Sequence, residues 1–195
     1  MGGIYWDESG SFVQFGPFEE QNFYDIEHSA DCGNNKLKTV EFVCLQHKNK
    51  LVFVEAKKTC PKLPSNAEDR IRKLLKADSL AVFEELLSHH VIKSSYVADV
   101  CEKFITSMCM TLAIANGYAI SEDMPHSIQV SAKRRNVQIV FLLVITDCEP
   151  DWAENIKRIF EKELRAFRHT NNAQVVVLTA KQAEKKHIVN KIYAH

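Results

Sequence analysis

The sequence contains no apolar run long enough to cross a membrane. Its longest, Val137 to Ile145, is strand-sized, whereas a spanning helix needs roughly 18 or more apolar residues. The opening residues, MGGIYWDESG, have neither the basic nor the apolar region of a secretory signal. Trp6 stands where a myristoylation signal after Gly2 requires Ser or Thr. The expectation is a cytoplasmic protein without membrane attachment. No two of the six cysteines, at 32, 44, 60, 101, 109 and 148, form a C-x-x-C pair. They read as reduced thiols acting as small hydrophobes, with no structural zinc site. His89 and His90 are adjacent and lack the i, i+4 spacing of helical metal ligands. Charge of one sign is missing too: 25 Lys and Arg balance 25 Asp and Glu. That excludes a protein that coats nucleic acid by bulk electrostatics. It leaves room for a local basic cleft, and basic clusters occur at Lys57-Lys58, Arg70-Arg72-Lys73 and Lys133-Arg134-Arg135. There are no repeats, low-complexity tracts or linkers, so residues 1–195 read as a single domain.

What is present alternates between two periods. GIYW and SFVQF are short aromatic and β-branched runs around a turn-like Asp-Glu-Ser-Gly, and NFYDIEHS is a further strand signal. Thr39 to Leu45 and Leu51 to Lys57 are clearer strands, and the short polar link between them predicts a hairpin. After Pro61 and Pro64 the period becomes helical. Ser65 with Glu68 has the spacing of a capping box, and Ile71, Leu74, Leu75, Phe83, Leu86 and Leu87 follow as an apolar stripe. Val97, Cys101, Phe104, Ile105, Met108, Leu112 and Ala115 form a second stripe, ended by Asn116-Gly117. Val137 to Ile145 is nearly unbroken, the mark of a strand covered on both faces. Trp152, Ile156, Ile159, Phe160, Leu164 and Phe167 make an amphipathic helix behind Pro150. AQVVVL is another buried strand, and Thr179 with Gln182 opens a last helix. Strand, helix, strand with buried strands implies a parallel crossover. The fold class is therefore α/β: a mixed central sheet, antiparallel meander plus parallel crossover, flanked by helices.

One stretch breaks its own pattern. LVFVEAKKTCP reads as a buried strand, yet it carries Glu55 and Lys57. Side chains alternate along a strand, so Leu51, Phe53, Glu55 and Lys57 share one face. The preceding strand has a similar anomaly, Glu41 between Val40 and Phe42. A hairpin centred on Lys48 pairs Glu41 with Glu55. Directly opposed Cβ atoms lie about 5 Å apart, and like charges there destabilise a sheet. Two such carboxylates repel by roughly 3 kcal/mol at an effective dielectric of about 20. A divalent cation offsets this best, because hard oxygen ligands suit Mg²⁺, and Lys57 adds a positive charge. On the other reading, both acids sit at a solvated strand end with Lys57 as a salt-bridge partner.

VEFV followed by LVFVEAKKTCP resembles the core of the PD-(D/E)xK nuclease superfamily, whose fold is restriction-endonuclease-like. Glu55-Ala56-Lys57 matches the acid-x-Lys triplet of the third core strand, and Glu41 takes the place of the earlier acid. The Pro-Asp pair is absent, with Glu where Asp is usual. The resemblance implies metal-dependent hydrolysis of phosphodiester bonds in nucleic acid, DNA in the first instance. Mg²⁺ or Mn²⁺ would be held by Glu41, Glu55 and the Ala56 carbonyl. Lys57 would orient the attacking water, while Lys58 and Lys62 would contact flanking phosphates. An upstream acid often joins this site, here Glu27, or less fittingly Asp25, and a homodimer is compatible with the type. The alternative within the resemblance is a catalytically inert binding or regulatory module.

Overall fold

The computed structural model describes residues 3–8, 10–33, 37–60 and 95–193. The expected capping box at Ser65 and Glu68, the stripe from Ile71 to Leu87 and the phosphate contact Lys62 lie outside these residues. The described elements are β1 (Ile4–Glu8), β2 (Val13–Phe18), β3 (Phe23–Tyr24), α1 (Ala30–Gly33), β4 (Phe42–Gln46), β5 (Lys50–Thr59), α2 (Ser95–Ala115), α3 (His126–Ala132), β6 (Gln138–Asp147), α4 (Pro150–Glu163), α5 (Arg165–Thr170), β7 (Ala173–Thr179), α6 (Ala180–Lys185) and β8 (Val189–Ile192).

A five-stranded sheet in the order β3-β4-β5-β6-β7 forms the centre. Its first pairs are antiparallel and its last two parallel, which makes it mixed as expected. Phe42 pairs with Val54, Val43 with Phe53 and Cys44 with Val52, the register that the Lys48-centred hairpin demands. The turn is pinned from outside: Arg134 Nη1 donates to the Lys48 carbonyl at 2.7 Å. The double burial of β6 follows its pattern. Ile139, Phe141, Leu143 and Ile145 join one core cluster, and Val140, Leu142 and Val144 join another. The first cluster lies under the helices, where Val97, Phe104, Met108, Ile156 and Phe160 cover the sheet as helical stripes should. Phe167 packs against the same cluster but stays partly exposed. Thr179 opens α6 with a capping box: its side chain accepts from the Gln182 N–H, and Gln182 Oε1 accepts from the Thr179 N–H.

The other face differs from the expectation. The β1–β2 hairpin does not continue the meander into β4 and β5. It forms a separate three-stranded sheet with β8, a strand the sequence did not announce. Val13 and Phe15 of this sheet, with Ala180, Ala183 and Val189, bury Phe42, Val52, Val54 and Val144. The central sheet is thus covered by helices on one side, and by the small sheet and α6 on the other. β8 escapes a periodicity reading because VNKI is too short, and only its Val189 is buried. The NFYDIEHS signal shrinks to two strand residues, and α3 likewise went unannounced.

The cysteine expectation also needs correcting. Cys60 and Cys148 are joined as a disulfide, their Cα atoms 5.8 Å apart, within the usual range. The cause is register. Thr59 pairs with Asp147 across the parallel β5–β6 ladder, so the next residue of each strand arrives side by side. Cys32, Cys44, Cys101 and Cys109 are free. Thiol titration of the denatured, unreduced protein is expected to count these four, and all six after reduction. Six thiols without reductant would restore the all-reduced reading.

Candidate metal centre

Five elements deliver charged side chains to the C-terminal end of β5. Glu8 is the last residue of β1. Its Oε1 accepts from the Gly10 N–H at 2.9 Å, which fixes the carboxylate at the mouth of the hairpin turn. That turn rests on the central sheet, where Thr146 Oγ1 donates to the Ser11 carbonyl. Glu27 lies in the loop after β3. Asp25 shapes this loop by accepting from the His28 N–H at 3.0 Å, and Ser29 Oγ donates to the Ile26 carbonyl at 2.9 Å. Asp25 is therefore occupied with its own turn, and of the two upstream acids only Glu27 joins the cluster.

Glu41 stands just before β4. Its N–H donates to the Val54 carbonyl at 3.0 Å, and the Val40 N–H is held by Ser107 Oγ at 2.9 Å. The paired ladder ends at Phe42 and Val54. The Glu41 N–H reaches the same Val54 carbonyl, one residue off the Glu41–Glu55 pairing expected of the hairpin, yet Glu41 lies close enough to Glu55 to feel its charge. Carboxylate oxygens of Glu8, Glu27 and Glu41 lie within 4.8 Å of one another. Glu41 is only 5% exposed. Burial pushes its carboxyl up to about 10, and the nearby Glu55, Glu27 and Glu8 add to the rise. Without a cation, Glu41 is therefore protonated at neutral pH and hydrogen-bonded with Glu27.

Glu55 sits beside this trio and is fully buried. Its Oε1 accepts from Lys57 Nζ at 2.7 Å and from Lys103 Nζ at 2.8 Å. Among the described residues its Oε2 is buried without a hydrogen-bond partner, and so is the Tyr96 hydroxyl of α2. Burial raises the Glu55 carboxyl, while Lys103 and Lys57 pull it back down. Burial would lower the Lys103 ammonium, but Glu55, with Glu41 and Glu27 behind it, holds it above its ordinary value. Burial and the Glu55 charge together push the Tyr96 phenol up. A buried carboxylate oxygen without a partner is costly, and a metal ion or an ordered water is what normally occupies such an atom.

The trio and the orphaned oxygen fit a hard divalent cation: among the described residues they offer oxygen donors only, from several carboxylates, with no soft ligand. Sequence reasoning placed Glu41, Glu27, Glu55 and Lys57 here, and the structure brings them to one place. Ala56 lies in the ladder opposite Val144, with its methyl in the core on the far face. Lys58 is exposed, its Nζ 4.5 Å from the centre of the Phe12 ring. Two residues were missed. Glu8 looked like part of a turn, and its side-chain direction depends on a different sheet. Lys103 sits between Glu102 and the buried Phe104, where a lysine usually marks the solvated edge of a helix. A cavity of about 840 Å³ beside α2, lined by Ile105, Met110 and Ile120 among others, contains none of these residues. Compared with known proteins, the chain matches no family model, no curated protein and no solved structure.

Proposed function

We propose that this protein is a divalent-cation-dependent nuclease of the PD-(D/E)xK type that hydrolyses phosphodiester bonds of nucleic acid, DNA in the first instance. The observation that carries this reading is the gathering of four glutamates from separate elements, three with oxygens within 4.8 Å, around the acid-x-Lys triplet. Glu41 and Glu55 are buried, Glu8 and Glu27 half-buried, and desolvation and mutual repulsion both oppose gathering such carboxylates, an opposition a bound cation offsets. Mg²⁺ or Mn²⁺ bound there would supply Lewis-acid activation of the phosphate and of a water. Glu8, Glu27 and Glu41 would hold the ion, with Glu55 Oε2 beside it. Lys57, at the solvent-facing end of the triplet and 27% exposed, can swing from Glu55 to the substrate. There it would orient the water and counter the charge growing on the phosphate. Lys58 continues the strand into solvent as a phosphate contact, which positions the substrate without reading its sequence.

A second reading, an inert module with the same fold, draws on one observation. The cluster already has internal partners: Lys57 and Lys103 on Glu55, and a hydrogen bond between the Glu41 and Glu27 side chains. Incubation with single- and double-stranded DNA and RNA in Mg²⁺, Mn²⁺ or EDTA separates the two. Cleavage that needs the metal and stops in EDTA is expected. No cleavage of any substrate, with no Mn²⁺-induced rise in melting temperature, would leave the inert module standing.

A further inference from the structure

Charge and geometry at Glu55 say how many ions the centre takes. Among the described residues the four carboxylates meet two ammoniums, Lys57 and Lys103, so with every acid ionised the cluster carries two uncompensated negative charges. While Lys57 rests on Glu55, one divalent cation cancels them, and a second would leave the resting cluster positive. Beyond the trio, Glu55 is the described carboxylate left to offer a second ion a ligand. Its Oε1 is taken by two ammonium donors, at 2.7 and 2.8 Å. An ion bonded there at about 2.0–2.1 Å would have to displace at least one of them.

The two lysines are not equivalent. Lys57 stands near the end of a strand and is the more exposed. Lys103 rises from the middle of α2, its side chain 15% exposed. The neighbouring Val100, Phe104 and Met108 are buried against the sheet. Their packing fixes the backbone from which Lys103 reaches, so this lysine stays on Glu55 when Lys57 leaves for the substrate. We propose that the centre takes a single divalent cation, on Glu8, Glu27 and Glu41, and that Lys103 is the fixed second positive centre where another ion would otherwise stand.

Lys103 is thus a positioning residue. It keeps Glu55 in place and compensated, while Lys57 is left free to serve the reaction. This inference rests on the nuclease reading, and its test is built to tell the two apart. Mn²⁺ is titrated into the wild-type protein, Lys103→Met and Lys103→Arg, followed by electron paramagnetic resonance of the free ion, with cleavage measured in parallel. Wild type is expected to bind one ion per chain. Lys103→Met is expected to lose roughly 100-fold in turnover at low Mn²⁺, the scale of losing one electrostatic stabiliser. It should then take up a second ion at high Mn²⁺ and recover part of that turnover. Lys103→Arg keeps the charge and should keep the single ion. A lysine that merely supported the helix would change neither stoichiometry nor metal rescue.

Two ions in wild type, or a Lys103→Met protein with one ion and unimpaired turnover, would overturn this role for Lys103 and leave the nuclease reading intact. Wild type that neither binds Mn²⁺ nor cuts would overturn the nuclease reading, and this inference with it.

Discussion

Replacing Glu55 with alanine is expected to abolish metal-dependent cleavage and to destabilise the metal-free protein by about 3–5 kcal/mol, the range for removing one partner of a buried ion pair. The sequence taken alone argues for the opposite sign. Two acids opposed across a hairpin repel, so deleting one should leave stability level or slightly higher. The structure reverses this for Glu55, because Lys57 and Lys103 both donate to its Oε1. Glu55 is their counter-ion, and its loss strands Lys103 in a largely dry place. Glu55→Gln should cost less, since it keeps an oxygen for the lysines. Adding Lys103→Met to Glu55→Ala should recover part of the loss, because the stranded charge goes too. Urea unfolding of all four proteins at neutral pH in EDTA gives the comparison. Equal stability for wild type and Glu55→Ala would mean the lysines are effectively solvated and the ion pairs idle.

The metal-free protein is expected to lose stability as pH rises from about 4.5 to about 10, and Glu41→Gln is expected to remove much of that slope. The carboxyl of Glu41 is raised from its ordinary 4.5 to about 10, with burial as the largest cause. Below that window it is protonated whether the chain is folded or not. Within the window it is protonated in the folded protein and ionised in the unfolded one, so unfolding releases a proton and higher pH favours it. A whole proton sets a ceiling of about 1.4 kcal/mol per pH unit. Glutamine keeps the shape and a hydrogen-bonding amide but cannot ionise. Near pH 8 the variant should therefore be the more stable by roughly 1–3 kcal/mol, part of what a linkage slope of at most ~1.4 kcal/mol per pH unit accumulates above pH 4.5. Cation binding runs the other way. It requires the ionised carboxylate, so Mn²⁺ affinity should rise with pH in wild type and fall sharply in Glu41→Gln. Melting curves across pH 5 to 9, with Mn²⁺ or EDTA, read both effects. Parallel pH profiles for the two proteins would show that Glu41 does not govern them.

These two substitutions, at residues the sequence pairs as equals, are thus expected to move stability in opposite directions. The sequence placed the hairpin in its register from Phe42–Val54 to Gln46–Lys50, and the ladder agrees there. Glu41, which was to pair with Glu55, instead sends its N–H to the Val54 carbonyl, one residue out of register. The sequence also recovered β6 as a strand buried on both faces, α2 and α4 from their stripes, and the Thr179 capping box. All of these rest on local rules. Alternation along a strand, a period along a helix and a cap three residues from its partner need no knowledge of distant chain. By that local signal alone the sequence determined the mixed α/β fold and the strand that carries the acid-x-Lys triplet. Only the tertiary structure decided which charges meet there. Glu8 comes from a hairpin that a C-terminal strand completes into a second sheet, Lys103 reaches in from a helix of the opposite layer, and Cys60 finds Cys148 through the parallel register. The sign and size of an electrostatic effect depend on the counter-charges within a few ångströms and on the water that burial removes. In this protein those counter-charges come from segments far apart in the chain.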